Sequence, residues 1–167
     1  NPKGVIELLN KNKDIILAVR GNCDAEVDQM VLSFPILADY AIISEGKRMV
    51  YLTHGHNFNE NNLPPLGEGD ILLHGHTHVP VCREHESYVY MNPGSVSIPK
   101  EESAHSYMML ENGTFTWKNN RKQGVIPHKK RIAHNHLSNL KAYFRKYLSH
   151  ISCLFLMIFS YFSAKAN

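Results

Sequence analysis

Three short apolar runs in this 167-residue chain each end in side chains that can bind a metal ion. Short apolar runs bounded by turn residues are typical of buried β-strands. Sites in layered α/β proteins commonly lie on loops at strand ends, because a rigid sheet aims the loops that follow it. We therefore predict a layered chain with a polar site at one sheet edge. The runs and their motifs are 14–19 before Gly21-Asn22-Cys23-Asp24, 48–53 before His54-Gly55-His56, and 70–74 before Gly75-His76-Thr77-His78.

The residue types in these motifs favour a divalent transition metal. Imidazole nitrogen suits Mn, Fe, Co, Ni or Zn, and an Asn carbonyl adds a neutral oxygen that leaves the ion electrophilic. In an extended segment His76 and His78 would point to the same face, where they can hold two ions roughly 3.5 to 4 Å apart. No Asp or Glu stands in a motif before Asn22 that could bridge two ions. The motifs thus predict half of a two-metal hydrolytic centre, supported by the segment 92–95.

Periodicity and turn residues predict the elements that carry these motifs. We expect a helix near the start of the chain and a second helix beginning at Asp24, where acidic residues occupy the first turn. Gly46 and Gly113 mark two hairpin turns. The predicted strands are 14–19, 38–44, 48–53, 70–74, 87–91, 106–110 and 114–118.

Residues 13–118 resemble one known family over most of that length. Asn22, Cys23 and Asp24, with the later histidine motifs, look like the second half of the calcineurin-like metallophosphoesterase signature. The sequence around and between these motifs also matches the family, in the segments "AVRGNCDAEVDQM", "LTHGHNF", "ILLHGHTHVP" and "NPGSVSIPK". The Gly-Asn-Cys-Asp variant is that of the small bacterial YfcE-type phosphodiesterases. The chain is therefore identified as a member of this family.

The resemblance implies an α+β or α/β fold in which a layered β-sandwich is flanked by helices. The family pattern also contains an earlier Asp-x-His and a Gly-Asp, which supply three ligands including the bridging Asp. Neither motif precedes Asn22 here. We therefore expect residues 1–120 to be the C-terminal part of a metallophosphoesterase domain that lacks its first β-α-β part, and we expect this chain alone to be an inactive fragment.

The resemblance also assigns roles to individual residues. The implied metal ligands are Asn22, His54, His76 and His78. Of these, His76 would share the second ion with Asn22 and His54, while His78 would bind the first ion. The implied catalytic residues are His54, His76 and Asp24, with the Asp24 carboxylate orienting a neighbour by a hydrogen bond.

Two further histidines close to the motifs have weaker assignments. His56 is expected to contact the phosphate or a ligand, and His74 to pack within its strand. The isolated His85 and His105 are expected to be structural or surface residues.

The implied function is metal-dependent hydrolysis of phosphodiesters, or of phosphomonoesters, by a hydroxide that two metal ions activate. The expected cofactor is Mn, with Zn, Fe, Co or Ni as alternatives, and the expected partner is the phosphoester substrate. The alternative is a non-catalytic interaction module, because a retromer subunit with this fold serves as a scaffold. Intact metal motifs favour the enzyme.

Charge divides the chain near residue 120. Residues 1–120 contain all fifteen acidic residues and nine basic ones, a net −6, whereas residues 121–167 contain nine basic residues and no acidic one, a net +9. A basic tail can contact nucleic acid or an anionic membrane. Because the resemblance ends where the composition changes, we instead interpret 121–167 as lying outside the fold, for example as read-through sequence, with no specific nucleic-acid partner. A membrane contact is the weaker alternative, since the apolar run 153–159 is shorter than about 20 residues.

Cysteine content and the predicted sheet suggest an environment and a mode of association. Cys23, Cys82 and Cys153 are odd in number and far apart, which is compatible with a reducing cytoplasm. Without early strands, a sheet would expose an unpaired edge that promotes aggregation or pairing with another chain. We therefore expect poor solubility, with a homo-oligomer as an open alternative.

Overall fold

The structure, a computed structural model, describes residues 2–119 and 155–158, with side-chain surroundings for residues 3–119. Most of the predicted tail, 121–154 and 159–167, lies outside the described residues. Within the described part, no helix is long and apolar enough to cross a membrane. The helices are α1 (Pro2–Lys11), a 3-10 turn (Lys13–Ile15) and α2 (Glu26–Val31), and the strands are β1 (Ile16–Val19), β2 (Tyr40–Glu45), β3 (Arg48–Thr53), β4 (Asp70–His74), β5 (Val81–Glu84), β6 (Tyr88–Asn92), β7 (Ser106–Glu111), β8 (Thr114–Asn119) and β9 (Phe155–Ile158).

A five-stranded mixed sheet in the order β2-β3-β4-β6-β5 forms the centre of the fold. Strands β3, β4 and β6 run parallel, and the antiparallel strands β2 and β5 close the two edges. All five residues of β4 are buried, as expected for a parallel strand covered on both faces. The carboxyl ends of β3, β4 and β6 therefore meet at one edge of the sheet, which is where the histidine motifs begin.

Two apolar layers form on opposite faces of this sheet, because side chains alternate along each strand. On one face the β7–β8 hairpin and Val19 of β1 cover the sheet, so two sheets stack as a sandwich. The sheet residues on this face are Val50, Leu52, Ile71, Leu73 and Met91, and those of the hairpin are Met108, Phe115 and Trp117. On the other face a second cluster contains Tyr51, Leu72, Tyr88 and Tyr90.

Helix α1 packs on the turn region that carries the Asn22 motif. Its residues Val5 and Leu9 lie four apart on one helical face and are both almost fully buried. They contact Ala18 of β1 and a segment after α2, whose buried side chains are Leu32, Phe34 and Ile36. This cluster fixes the end of β1, and with it the loop that follows.

The predicted layered sandwich is confirmed, and the predicted strands are found with small shifts at their ends. The predicted strand 14–19 is shorter than expected, because Lys13–Ile15 forms a 3-10 turn and β1 begins at Ile16. Strand β5 was not predicted. It is a four-residue edge strand whose last two residues are exposed, so it lacks the apolar pattern of the central strands.

Strand β9 lies inside the segment that was predicted to be outside the fold. Its backbone pairs antiparallel with β1, from Ile16 opposite Ile158 to Val19 opposite Phe155. An unpaired strand edge accepts another strand through its free N–H and C=O groups. The division of the chain at residue 120 remains a prediction, but these four tail residues are hydrogen-bonded to β1.

Candidate functional site

Three of the four predicted ligands meet where β1, β3 and β4 end. The Asn22 Oδ1 lies 2.8 Å from His54 Nε2, and His76 Nδ1 lies 3.1 Å from the same His54 nitrogen. The His54 and His76 rings are 5.0 Å apart and nearly perpendicular. The structure thus brings together the three residues that were expected to share one ion.

The spacing of these atoms fits ligands of a single metal ion. Donors bound to one divalent ion at about 2.0 to 2.2 Å lie roughly 2.8 to 3.6 Å from each other in octahedral or tetrahedral geometry. A single His54 nitrogen also faces both an amide oxygen and a second imidazole nitrogen, and it carries at most one proton for two acceptors. A cation at this point would satisfy all three lone pairs. Within residues 2–119 no group of three His, Cys, Asp or Glu side chains is arranged to hold a metal ion by itself, so the donor set is two imidazoles and one amide.

Burial keeps the central imidazoles neutral. The pKa of His54 is lowered to about 4, first because the ring is buried and then because His76, His56, His78 and His74 lie nearby. The pKa of His76 is also lowered, again by burial first. A metal ligand must be the neutral imidazole. Both rings are therefore neutral imidazoles at neutral pH, the form that binds a metal ion.

The loop after β4 is not the extended segment predicted from sequence. His76 has a φ of 62° and His78 a φ of 65°, so both adopt the left-handed conformation. This conformation costs a non-glycine residue roughly 1 to 2 kcal/mol. The prediction that strand alternation would place both rings on one face was therefore wrong, because β4 ends at His74. Such strain persists only where surrounding contacts impose it, and it is concentrated at functional sites.

His78 is oriented by the backbone of a neighbouring loop. Its Nδ1 lies 2.6 Å from the Ile98 carbonyl oxygen. A carbonyl can only accept, so Nδ1 carries the proton and Nε2 keeps its lone pair. Metal-binding histidines are commonly held in this way by their second nitrogen. His78 contributes to the lowered pKa of both His54 and His76, which places it near them.

Asp24 holds the turn that carries Asn22. Its buried carboxylate accepts a hydrogen bond from the Gly21 backbone N–H at 2.6 Å, and burial raises its pKa. This geometry supports the predicted orienting role, whereas a catalytic role for Asp24 remains a prediction. The adjacent Cys23 is exposed, and the Asn22 Nδ2 points towards its sulfur at 3.5 Å. That contact leaves the Asn22 oxygen directed at His54.

His56 and His74 complete the imidazole group. The His74 ring stacks on Tyr90 at 4.5 Å and lies 3.2 Å from the Gly75 carbonyl, which agrees with its predicted packing role. Its Nε2 and the Nδ1 of His56 are buried and lack a hydrogen-bond partner within residues 3–119. The backbone of the first histidine motif lies in close contact with the start of the second. A Cβ at position 55 would lie 2.5 Å from the His74 ring. Only glycine fits at Gly55.

Two supporting groups were not identified from sequence. Asn92 was named only as part of a supporting segment, yet it is fully buried and donates to both Gly75 and Thr77 of the second histidine motif. The carbonyl of Ile98, which orients His78, was missed altogether. For Asn92, the available sequence signal was a single Asn at the end of the apolar strand segment 88–92. A backbone carbonyl carries no signal in the sequence.

Comparison with known proteins identifies the family. A sequence profile of the calcineurin-like phosphoesterase superfamily domain matches residues 2–114. The chain belongs to this superfamily. Its members include phosphodiesterase YfcE of Escherichia coli K12, to which the chain is 50% identical over 115 residues, covering 69% of the chain and 62% of the relative. The probable metallophosphoesterase YsnB of Bacillus subtilis is 29% identical over 108 residues, covering 59% of each.

A solved superfamily structure confirms the fold. The E. coli phosphoesterase YfcE superposes with a TM-score of 0.72 at 45% identity, covering 75% of this chain and 69% of the other. The predicted family membership and layered fold are therefore confirmed. The chain spans 62% of the length of the YfcE sequence it matches.

Proposed function

We propose that this chain carries the metal-binding half of a metal-dependent phosphoesterase that acts on phosphodiesters or phosphomonoesters. The observation that carries the proposal is the position of Asn22 Oδ1 and His76 Nδ1 at 2.8 Å and 3.1 Å from His54 Nε2, at the carboxyl edge of the sheet. Superfamily membership supports the reaction class. The relative named a phosphodiesterase, at 50% identity, supports the diester as the preferred substrate.

The proposed metal ligands are Asn22, His54, His76 and His78. Mn²⁺ is the ion we favour, with Zn²⁺, Fe²⁺, Co²⁺ and Ni²⁺ as alternatives, since imidazole and amide donors suit all of them. A divalent ion held there supplies Lewis acidity towards a phosphoryl oxygen and makes water a nucleophile at neutral pH. All four donors are neutral, so they leave the charge of the ion largely undiminished.

The side chains around the proposed ligands favour an anionic substrate. His76 and Asn22 are exposed whereas His54 is buried, so a phosphoester reaches these two members of the set first. The Lys100 ammonium lies close enough to His76 to contribute to the lowered pKa of that histidine. Its positive charge would attract a phosphate to the exposed side of the site. The only carboxylate described at this site, Asp24, is buried and turned to the Gly21 backbone.

We also propose that residues 1–167 alone bind one divalent ion and hydrolyse phosphodiesters at a negligible rate. Within the described residues no carboxylate joins the donor set to bridge a second ion. Residues that act as a unit in catalysis lose their effect together when one member is lacking.

We further propose that the protein works in a reducing, cytoplasmic environment. The free thiols of Cys23 and Cys82 support this proposal.

Titration calorimetry with MnCl₂ on the full chain tests the metal site. We expect one ion per chain, loss of binding in His76→Ala, and unchanged binding in the matched control His85→Ala. His85 is held by Glu60 and Tyr88, away from the donor set. No binding by the wild type, or equal binding by His76→Ala, would refute the site.

A fusion tests the reaction. A segment carrying Asp-x-His and Gly-Asp motifs is placed ahead of Asn1, and hydrolysis of bis(p-nitrophenyl) phosphate is followed with Mn²⁺. We expect activity that His76→Ala abolishes and His85→Ala retains. An inactive fusion that still binds two ions would favour the non-catalytic interaction module.

A further inference from the structure

Asn92, the last residue of β6, is a buried amide whose side chain faces the second histidine motif. It has no exposed surface. Its Nδ2 lies 2.7 Å from the Gly75 carbonyl, 3.0 Å from Thr77 Oγ1 and 3.2 Å from the Tyr90 hydroxyl. Its Oδ1 accepts the Gly94 backbone N–H at 2.8 Å. The amide is therefore fully engaged, and most of its donor capacity is directed at the loop after β4.

The residues that Asn92 contacts alternate with the two left-handed histidines. Gly75 and Thr77 are held by Asn92, whereas His76 and His78 are the strained residues next to them. The contacts to the Gly75 carbonyl and the Thr77 hydroxyl flank His76 on both sides and directly precede His78, so they restrain the loop backbone at these positions. The imidazoles themselves are held by other groups, His76 next to His54 Nε2 and His78 by the Ile98 carbonyl, so Asn92 acts on the loop that carries them.

Other contacts within residues 2–119 do not replace this hold. The Thr77 N–H closes a tight turn on the Gly75 carbonyl at 2.7 Å, but that turn lies within the loop and cannot anchor it to the sheet. The His78 carbonyl accepts only long bonds of 3.4 Å, from the Lys100 N–H and the Ser103 hydroxyl. The Gly75 N–H donates to the His54 carbonyl, just after β3, at 3.1 Å, and Asn92 binds the Gly75 carbonyl from β6 at 2.7 Å and is the contact that also reaches Thr77.

A role as simple core filling does not explain this side chain. A buried amide is stable only where its polar atoms are hydrogen-bonded, and an apolar residue of similar size would fill the same volume without that requirement. The partners of Nδ2 include two positions of a strained loop at the proposed metal site. The amide is thus placed where its directionality determines loop geometry.

We propose that Asn92 is a positioning residue that holds His76 and His78 in the left-handed conformation needed for metal binding. It acts through Gly75 and Thr77 and does not itself touch the metal or the substrate. The metal-binding part of this inference rests on the proposed function. The effect on loop conformation does not.

Asn92→Asp is the most selective variant. It keeps the volume and the Oδ1 acceptor for Gly94, and it leaves the backbone carbonyl that accepts from Trp117 Nε1 unchanged. It replaces the Nδ2 donor with a carboxylate oxygen, which cannot donate to the Gly75 carbonyl when ionised and which adds a buried negative charge. Substitutions of groups that orient metal ligands typically lower metal affinity about 10- to 100-fold. We expect a loss of that order in Mn²⁺ affinity for Asn92→Asp, measured by calorimetry on the full chain.

Two further variants separate the loop contacts from the rest. Tyr90→Phe removes the third partner of Nδ2 but neither loop contact, so we expect unchanged Mn²⁺ affinity. Thr77→Val keeps Asn92 and the exposed loop surface while it removes one of the two loop contacts. We expect an intermediate loss of affinity. Thermal melts of all variants identify any that fail to fold, and Thr77→Val keeps the test valid if Asn92→Asp does not fold.

A metal-free measurement distinguishes failure of this inference from failure of the proposed function. NMR coupling constants and backbone shifts report φ at positions 76 and 78 without any metal. We expect left-handed values in the wild type and Tyr90→Phe, and a shift away from them in Asn92→Asp. If the folded Asn92→Asp keeps both left-handed values and wild-type Mn²⁺ affinity, the inference is refuted. If the wild type binds no Mn²⁺ while the variant still shifts, the metal proposal fails and the positioning role stands.

Discussion

His54 combines deep burial with a direct place in the donor set. The ring is only 4% exposed, and its pKa of about 4 lies well below the usual 6.5. The same burial that suits the imidazole to metal binding makes it costly to protonate in the folded state. Function and acid sensitivity therefore have one cause at this residue.

The stability of the metal-free chain should fall as pH is lowered from about 6.5 to 4. In this window the unfolded state binds a proton at His54 and the folded state does not, so acid favours unfolding. His74 and His76 have lowered pKa values and act in the same direction, while the raised pKa of Asp24 opposes them. Urea unfolding at several pH values would measure the slope. His54→Gln should flatten it, and an unchanged slope would contradict the assignment.

Gly94 should tolerate no side chain. Its φ is 83°, and a Cβ there would overlap the Ser106 hydroxyl, which is fixed by the Pro93 carbonyl at 2.8 Å. Gly69 is a matched control, since its φ is 80° and a Cβ would meet nothing within 4 Å. Gly69→Ala should cost roughly 1 to 2 kcal/mol of unfolding free energy. Gly94→Ala should cost about 1 to 3 kcal/mol more. Equal losses in chemical denaturation would show that the overlap is relieved cheaply.

At the scale of elements, the Glu60 carboxylate connects the loop after β3 to strand β5 through an ion pair with Arg83. Glu60 accepts from the Arg83 guanidinium at 2.6 Å and lies 2.8 Å from His85 Nε2. On the site side, Asn59 Nδ2 donates to the Gly55 carbonyl at 3.1 Å. The loop therefore connects the first histidine motif to the far edge of the sheet.

Glu60→Ala should loosen this loop without unfolding the protein. Exposed ion pairs contribute little to global stability, so we expect the melting temperature to change by a few degrees at most. Local opening is a separate equilibrium, and it should become easier in residues 57–62. Hydrogen exchange would show faster amide exchange there. Glu68→Ala, which removes an exposed carboxylate with no ion pair among the described residues, is the control. Equal exchange in both variants would contradict the fastening role.

Sequence patterns predicted the elements where local and tertiary preferences agree. Strand β4 has an apolar centre at 71–73 between Asp70 and His74, and the hairpin at Gly46 has its turn residue in place, so both were found correctly. The left-handed His76 and His78 could not be predicted, because Asn92 and Ile98 impose that geometry from other strands and loops. Strand β9 was missed for the same reason, since its partner is about 140 residues away.

At the scale of the whole molecule, apolar surface collects at the β2 edge of the sheet. Tyr40, Ile42 and Met49 are 40% to 45% exposed and share one face of the β2–β3 hairpin. Strand β2 also has an open side in the five-stranded sheet. Exposed apolar residues on an edge strand favour pairing with another chain.

Ile42→Lys should reduce self-association of the full chain. A charge at this edge opposes strand pairing and removes apolar contact area. Ser44→Lys is the matched control, because it adds the same charge to the same face of β2 without removing an apolar side chain. Sedimentation velocity at several concentrations would measure the distribution. A monomeric wild type, or an equal effect of both variants, would show that this apolar edge does not drive association.

The pairing of β1 with β9 has a consequence for how the protein is made. Val19 leaves the ribosome about 136 residues before its partner Phe155. At about 5 to 20 residues per second, synthesis of that interval takes on the order of ten seconds. Throughout this time the β1 edge has no β9 to pair with, while α1 and the Asn22 turn are already complete. A nascent chain stalled before residue 155 would therefore keep β1 open to other strands, including those of neighbouring copies on the same message.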